Sequence, residues 1–420
     1  MIIVNRKAVD GALSVGNRLA LAAPFNSAFL IILSAPCAFF CMMKIMFSAG
    51  EVSGDIHGAA LAREILKIDP TVELLGFGGD RMSDAGVKLV RNCKDFSIMG
   101  VLEVIKNLRR IFRLLDELTE CMKNERPDLL VLIDYPDFNW RLARRAKKLG
   151  IKVFSYIPPS AWAWRKGRAK DCAAIADQFA AIFPFEVDVY RQAGANITFV
   201  GNPLVDTVKP SMSAESARNY FNVGADEHVI LLMPGSRRQE IKFLLEPMLD
   251  SARKIIERRS DVKFYLPVAD GVDRENLTRA IVKSGVEVRL VGDHRYDLMS
   301  IADCAAAASG TVILEAALLG MPCVVLYKMA ALNYWVAKRF VHIDNFSLPN
   351  ILLGKKIQPE LLQDAVEPDR ISTELLRLLR GSEHRARVVE ELKAACDRLG
   401  GSGAAHRTAR LIINAAKGNA

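Results

Sequence analysis

Short apolar runs alternate with longer amphipathic segments along most of the chain, beginning at Lys44. The runs typical of buried strands are KIMFSAG, VELLGFGG, LLVLID, KVFSYI, QFAAIFPF and ITFVGNP. Between them lie segments with helical periodicity, such as DIHGAALAREILKI and NWRLARRAKKLG. This alternation predicts a parallel sheet with helices on both faces.

A second series of the same kind follows the polar stretch VKPSMSAES. Its predicted strands are HVILLMPGS, VKFYLPVA, VEVRLVG, DCAAAASG and PCVVLYK, with TVILEAALLG as a helix. The pattern therefore predicts an α/β protein with two Rossmann-like, doubly wound domains facing a cleft, at residues 43–205 and 206–370. Residues 371–420 read as helices that the pattern assigns to neither domain.

Residues 1–42 do not fit the α/β pattern. An uncharged and mostly apolar run between Arg18 and Lys44 is about long enough to span a bilayer, but it contains two prolines. Three interpretations stay open: a membrane-associated anchor, a signal peptide, or an extension translated from an upstream start codon. The last is consistent with Met43, where the regular pattern begins.

Charge, composition and missing motifs limit the classes of ligand that the protein is expected to bind. The net charge of +9 suits nucleic acid, an anionic membrane or a phosphorylated substrate, but no RNP, zinc-finger or helix-turn-helix signature accompanies it. The eight cysteines and six histidines are scattered, so we expect no disulfide framework and no metal site. SAGEVSGD, the first strand-to-helix turn, lacks the glycine pattern of a dinucleotide fold and the Gly-Lys of a P-loop.

Two loops of the second domain are candidate anion sites. In MPGSRRQEI, the backbone N–H groups of the Gly235-Ser236 turn and the guanidinium of Arg237 can bind phosphate, although a turn with surface arginines fits equally. In SGTVILE, Ser309, Gly310 and Thr311 precede a helix whose N-terminus favours a diphosphate. One turn further, Glu315 suits a pair of ribose hydroxyls. A third candidate is Asn350 in SLPNILLG, an amide that reaches a nucleotide or satisfies local backbone groups.

The first domain offers three further groups of polar residues. In SAGEVSGD, Ser53 and Asp55 are candidate hydroxyl or phosphate partners, unless Asp55 caps its helix. The segment PPSAWAWRKGR has two interpretations: its tryptophans pack structurally, or the segment binds a phosphorylated acceptor. The candidate acceptor-binding residues are Trp164, Arg165 and Arg168. The strand LLVLID ends on Asp134, and Asp137 follows three residues later before a helix, which makes capping the simpler role for Asp137.

An amphipathic helix is predicted within residues 99–122. Its apolar stripe packs in the core or, with the basic residues beside it, lies in an anionic membrane interface. The membrane-contact candidates are Leu102, Ile105, Lys106, Leu108, Arg109 and Phe112.

Taken together, these motifs resemble the lipid-A-disaccharide synthase family of inverting glycosyltransferases with the two-Rossmann-domain (GT-B) fold. The matching segments are SAGEVSGD, SIMGVLEV, IDYPDFN, PPSAWAWRKGR, FPFEVDVY, FVGNPLVD, LLMPGSRRQEI, SGTVILEAAL and SLPNILL. Asn202 departs from the pattern, because the family usually carries histidine there.

The resemblance implies the substrates and where they bind. The donor is UDP-2,3-diacylglucosamine, the acceptor is 2,3-diacylglucosamine 1-phosphate (lipid X), and no metal or other cofactor is needed. Residues 43–205 become the acceptor and membrane domain, and residues 206–370 become the UDP-sugar domain. The resemblance also implies a cytoplasmic enzyme, peripheral on the inner membrane. The sequence leaves the oligomeric state open.

Residue roles follow from the same resemblance. Asp134 aligns with the family's general base, and Glu315 and Asn350 align with UDP contacts. Asn202 is kept as an acceptor candidate that donates through an amide. The alternatives are another UDP-sugar enzyme of this fold, such as a muramyl-pathway transferase or a UDP-N-acetylglucosamine 2-epimerase, and an inactive membrane-surface binding protein.

Overall fold

The structure is a computed structural model, which describes residues 42–96, 101–159, 167–269, 271–340 and 345–418. The apolar segment 1–41 lies outside these ranges, as do Trp164 and Arg165 of the aromatic, basic loop. The side chains of residues 101–108 and of Arg168 also lie outside the description, although helices run through them.

The first sheet is parallel and has seven strands in the order β3-β2-β1-β4-β5-β6-β7. Its strands are β1 Lys44–Ala49, β2 Glu73–Gly78, β3 Lys88–Asn92, β4 Leu129–Ile133, β5 Lys152–Tyr156, β6 Gln178–Ala181 and β7 Ile197–Phe199. Its helices are α1 Val52–Ile68, α2 Asp80–Asp84, α3 Val101–Glu125, α4 Pro136–Lys148, α5 Gly167–Ala173 and α6 Pro184–Gln192.

The second sheet is also parallel and has six strands in the order β10-β9-β8-β11-β12-β13. Its strands are β8 His228–Met233, β9 Val262–Pro267, β10 Val288–Val291, β11 Cys304–Ala308, β12 Cys323–Tyr327 and β13 Glu360–Leu362. The helices that follow α6 along the chain are α7 Leu204–Thr207, α8 Ala214–Tyr220, α9 Arg238–Ile256, α10 Arg274–Ser284, α11 Arg295–Ile301, α12 Thr311–Leu318, α13 Ala331–Phe340, α14 Leu348–Leu353, α15 Pro368–Arg377, α16 Glu383–Asp397 and α17 Ala404–Ala416.

The central strands are apolar throughout because helices cover both faces of each sheet. In β4, Leu130 and Leu132 join the core on one face, whereas Val131 and Ile133 join the core on the other. This is the two-residue alternation that a strand imposes on its side chains. A continuous apolar run here therefore indicates burial on both sides, as the sequence pattern predicted.

The last helices are divided between the two halves. α15 and α16 pack on the second sheet, where Leu375 and Leu392 are fully buried in its core. α17 returns to the first half and packs against α1, β4 and β5, so that Ile412 lies in the core of that half.

The two connections between the halves run side by side. Asn202 donates its backbone N–H to the carbonyl of Leu399 (2.8 Å), and Asp206 accepts the N–H groups of Gly403 and Ala404. The guanidinium of Arg407 adds a bond to the carbonyl of Val200 at 2.8 Å. The chain therefore crosses between the halves twice at a single hydrogen-bonded place.

Candidate active site

The strand order of each sheet fixes where a ligand binds. β1 and β4 are neighbours although two strands separate them in sequence, and β8 and β11 are neighbours in the same way. In open α/β sheets, the crevice beside such a switch point, at the carboxyl ends of the strands, is the usual ligand site. The four loops at these ends begin after Ala49, Ile133, Met233 and Ala308. All four coincide with motifs singled out in the sequence.

Asp134 follows the last residue of β4 and is exposed. Asp134 and Tyr135 both have left-handed backbone conformations, with φ of 48° and 51°. Two consecutive non-glycine residues in that region are uncommon and cluster at functional sites. Although solvent reaches Asp134, surrounding protein atoms desolvate its carboxylate and raise its pKa. A raised pKa with solvent access suits a group that accepts a proton.

A buried amide holds this strained turn. Asn139, in the first turns of α4, donates Nδ2 to the carbonyl of Asp134 at 2.6 Å and accepts the hydroxyl of Ser48 at 2.7 Å. The same nitrogen lies 3.3 Å from the carbonyl oxygen of Ser48. Asn139 therefore connects the ends of β1 and β4 and fixes the backbone that carries Asp134. Ser48 and Asn139 both lie in motifs recognised in the sequence, but no sequence pattern indicated that they pair.

Replacing Asn139 by alanine should lower turnover without removing the base. The substitution leaves the Asp134 carbonyl and the Ser48 hydroxyl buried without a partner, which costs about 1–3 kcal/mol of stability for each unsatisfied group. We expect kcat to fall by about tenfold or more, whereas KM for the donor stays close to wild type, because the residues predicted to bind the donor lie in the other half. Steady-state kinetics and thermal unfolding measure the two effects. A donor KM that rises as much as kcat falls would contradict a positioning role.

Glu51, between β1 and α1, is a cleft residue that sequence reasoning missed. Its pKa is raised mainly by desolvation and also by the negative charge of Asp134, and the positive charge of Arg237 acts in the opposite direction. These interactions bring the end of β1, the end of β4 and the loop after β8 around one space. SAGEVSGD was recognised as a motif, yet nothing in it distinguished Glu51 from a surface carboxylate.

The loop after β8 is built around Glu240. Its carboxylate accepts the N–H groups of Ser236 (3.2 Å) and Arg237 (3.1 Å), and it pairs with the Arg237 guanidinium at 3.0 Å. Gly235 has φ of 102°, and a Cβ there would overlap Glu240, so only glycine fits. Arg237 itself is 81% exposed, with most of its donors available to a ligand. The N–H of Ser236, one of the two expected to bind an anion, thus already binds a carboxylate of the chain.

The loop after β11 leads into α12 as predicted. Gly310 is the N-cap residue of α12, and the exposed Thr311 is its first residue. The hydroxyl of Ser309 donates to the carbonyl of Phe346 at 3.2 Å, which ties this loop to the one before α14. Glu315 lies one turn into the helix and is nearly buried. Its pKa is raised by burial, although Arg295 lies 3.5 Å away.

Asn350 does not fit the role expected for it. Its side chain is fully buried and donates to the carbonyl of Gln358 (3.1 Å) and to Glu360 (2.8 Å). Its oxygen accepts the N–H groups of Ile357 and Gln358. All of its hydrogen-bonding capacity is therefore spent on the loop between α14 and β13. The expected UDP contact is corrected to a structural amide, which was the competing interpretation.

Asp55 is corrected in the same way. Its buried carboxylate accepts the N–H groups of Gly79, Arg81 and Met82 at 2.8–3.2 Å, so it caps α2 instead of binding a substrate or capping its own helix. Ser53 is exposed in the first turn of α1. Asp137 is the second residue of α4 and lies inside the helix, so it is not the N-cap residue that the sequence predicted; Tyr135 occupies that position.

Asn202 lies at the crossing between the halves. It is 1% exposed, and its side-chain oxygen accepts the N–H of Leu204 at 3.0 Å. Its side-chain nitrogen has no partner among the described residues. The remaining acceptor candidates, Trp164, Arg165 and Arg168, have side chains outside the described residues.

Most membrane-contact candidates also fall outside the description, namely the side chains of Leu102, Ile105, Lys106 and Leu108. Arg109 is exposed, and Phe112 is 42% exposed although it is a large apolar residue. Within the described ranges, no group of three or more histidine, cysteine or acidic side chains is arranged to hold a metal ion.

Sequence comparison identifies the relatives of the chain. A family profile described as Lipid-A-disaccharide synthetase matches residues 45–409. The lipid-A-disaccharide synthase of Geobacter sulfurreducens is 40% identical over 370 residues, which cover 88% of this chain and 96% of that protein. The Syntrophus aciditrophicus protein of the same name is 41% identical over 374 residues, covering 89% and 98%. The chain belongs to the lipid-A-disaccharide synthetase family. The resemblance found in the motifs is thereby confirmed.

Solved structures share the fold with this family member at low identity. The putative UDP-N-acetylglucosamine 2-epimerase of Listeria monocytogenes matches with a TM-score of 0.62 at 17% identity, covering 89% of this chain and 96% of that one. A co-structure of Staphylococcus aureus MnaA with UDP matches with a TM-score of 0.62 at 14% identity, covering 90% and 98%. Such identities establish the fold alone. The predicted pair of Rossmann-like domains is confirmed, and the epimerase alternative is not favoured over the synthetase family.

Proposed function

We propose that the chain transfers 2,3-diacylglucosamine from UDP to the 6-hydroxyl of 2,3-diacylglucosamine 1-phosphate, which forms a β-1,6-linked tetraacyl disaccharide 1-phosphate and UDP. The observation that carries the proposal is that Asp134 and Arg237 both lie within electrostatic range of Glu51. A desolvated, solvent-reachable carboxylate at the end of β4 and an arginine on the loop after β8 thus act on the same side chain. Membership of the synthetase family supports the choice of substrates.

Asp134 acts as the general base. Its carboxylate takes the proton of the acceptor 6-hydroxyl while that oxygen attacks the anomeric carbon of the donor. The bond from that carbon to the diphosphate breaks on the opposite side, so the configuration inverts and UDP leaves. A positioned base of this kind contributes about 10²–10⁴-fold to the rate.

The leaving diphosphate gains negative charge, which the second half stabilises. Arg237 supplies a fork of donors on an exposed guanidinium, and the free N–H groups at the start of α12 supply a positive dipole end. Glu240 holds the backbone of the Arg237 loop in place. Glu315, one turn into α12, is the proposed ribose partner.

The acyl chains of both substrates require contact with a lipid surface. Among the described residues, no helix is long and apolar enough to cross a membrane. The proposed contact is therefore peripheral, on the cytoplasmic face of the inner membrane, through α3. The exposed Phe112 and Arg109 combine an apolar ring with a cation, as interfacial helices do.

The experiment is a transfer assay with the purified full-length chain, both lipid substrates in detergent and a radiolabelled donor. We expect a labelled disaccharide 1-phosphate whose anomeric proton coupling reports the β configuration, with one UDP released per disaccharide. Omission of the acceptor should abolish UDP release. Conversion of UDP-N-acetylglucosamine to its 2-epimer, without disaccharide formation, would replace this proposal by the epimerase.

A further inference from the structure

A basic cavity lies beside α3, and its lining contains no residue of the four cleft loops. Its volume is about 210 Å³, and it is lined by Arg91, Asp95, Arg110, Arg113, Leu114 and Glu117. Pockets for whole small molecules usually span about 300–1,000 Å³. This cavity therefore has room for a small charged group and not for an entire substrate.

Two elements bring the three arginines together. Arg91 comes from the edge strand β3, and Arg110 and Arg113 come from α3, one turn apart. Glu117 holds Arg91 through two bonds, from Nε at 2.8 Å and from Nη2 at 3.2 Å. The fork is thereby oriented, and its remaining N–H groups are left for another acceptor. Arg113 is exposed and makes no ion pair within the described part of the chain.

The acidic side chains of the cavity do not cancel this charge. Glu117 is already engaged by Arg91, and Asp95 interacts with the same arginine at longer range. Three arginines against two carboxylates leave a net positive lining. An oriented arginine fork beside further arginines is the arrangement that recognises phosphate.

The surface next to the cavity carries an apolar anchor. Phe112 adjoins Arg113 on α3 and is 42% exposed, and Arg141 of α4 lies over its ring at 5.7 Å. Arg109 and Arg144 are exposed on the same two helices. An exposed aromatic ring among cations is complementary to a bilayer whose headgroups are anionic.

We propose that Arg91 and Arg113 bind the phosphate of an anionic phospholipid headgroup, with Phe112 entering the adjacent interface. The proposal rests on the peripheral membrane contact of the proposed function and makes it specific. The contact is a pocket shared by β3 and α3, not a basic helix face alone. Arg91 distinguishes a shared pocket from a basic helix face, because Arg91 belongs to β3 and not to α3.

The test is sedimentation of the full-length chain with vesicles of phosphatidylcholine mixed with phosphatidylglycerol, compared with phosphatidylcholine alone. Each basic residue near an anionic surface contributes about fivefold to partitioning. We expect Arg113→Gln to weaken binding to the anionic vesicles by about this factor and to leave binding to phosphatidylcholine unchanged. The matched control is Arg279→Gln, which removes the same charge from an exposed position on α10 and should bind like wild type.

Arg91→Lys tests the pocket itself. The substitution keeps the net charge but loses the fork, so a diffuse basic surface predicts no change and the proposed pocket predicts severalfold weaker binding. UDP binding and the thermal midpoint of each variant establish that the fold is intact. Wild-type affinity of Arg91→Lys for anionic vesicles would overturn the proposal. The proposal would also be overturned if Arg113→Gln weakened the binding of inorganic phosphate but not the binding of vesicles. The cavity would then be an ion site only.

Failure of this inference is distinguishable from failure of the proposed function. Vesicle binding involves no sugar transfer, and the transfer assay is performed in detergent without a bilayer. Disaccharide formation by a chain that ignores anionic vesicles would remove the headgroup site and keep the enzyme. If the chain bound anionic vesicles through Arg91 and Arg113 but showed no transfer activity, the headgroup site would stand and the proposed enzyme function would fail.

Discussion

Asp134→Asn is expected to lower kcat by about 10²–10⁴-fold, while UDP binds as tightly as to the wild-type chain. The amide has nearly the same shape as the carboxylate but cannot accept the acceptor hydroxyl proton. The backbone at Asp134 is held through its own carbonyl by Asn139, and this bond does not involve the substituted group. The loss should therefore appear in the chemical step and not in folding, as single-turnover kinetics and UDP titration will measure.

The pH dependence of activity is a second test of Asp134 as the general base. Desolvation raises the pKa of Asp134, and the carboxylate must be ionised to accept a proton. Activity should therefore fall as the pH falls through that raised pKa, and this acidic limb should be absent from the residual activity of Asp134→Asn. The matched control is Asp137→Asn, which removes an exposed carboxylate three residues away and should retain most activity. Equal losses in the two variants would contradict the assignment.

Arg237→Ala should reduce kcat by about 10²–10³-fold, the range found for removing one preorganised donor to a developing oxyanion. The guanidinium is exposed, and its positive charge acts to lower the pKa of Glu51 in the first half. UDP affinity should fall as well, because a charge-assisted bond to a phosphate is lost. Calorimetric titration with UDP and kinetics with both substrates separate these two effects.

Two comparisons make the Arg237 result specific. Arg237→Lys keeps the charge without the fork and should recover only part of the lost rate. Arg238→Ala removes the neighbouring exposed arginine and should affect UDP binding little. Unchanged UDP affinity in Arg237→Ala would show that the diphosphate binds elsewhere in the cleft.

The sequence was informative about strands and about the loops at their carboxyl ends. A run such as Leu129–Ile133 is apolar at every position because helices cover both faces, and the polar residue that follows must leave the sheet at its edge. The switch points then bring the loops of Asp134, Gly235 and Ser309 to the cleft from strand order alone. These positions depend on local pattern and on rules of topology, both of which a single sequence contains.

The partners of individual polar side chains were not predictable. Asp55 and Asn350 belong to motifs, yet both bind backbone groups of the chain itself. Asp55 accepts the N–H of Gly79, far away in the sequence, and Asn350 accepts the N–H of Ile357 in the loop that follows its helix. The Asn139–Ser48 pair joins positions 91 residues apart. Such contacts depend on the tertiary arrangement, and an amide or carboxylate has the same sequence signature whether it binds a ligand or a loop.

The return of α17 to the first sheet has a practical consequence for dissecting the molecule. A fragment beginning after the first crossing would carry the complete six-stranded half together with a helix whose apolar side, including Ile412 and Ile413, belongs in the core of the missing half. That orphaned side would favour aggregation. A soluble fragment of the second half should therefore stop before Ala404, and an isolated first half should be supplied with α17 as a separate peptide.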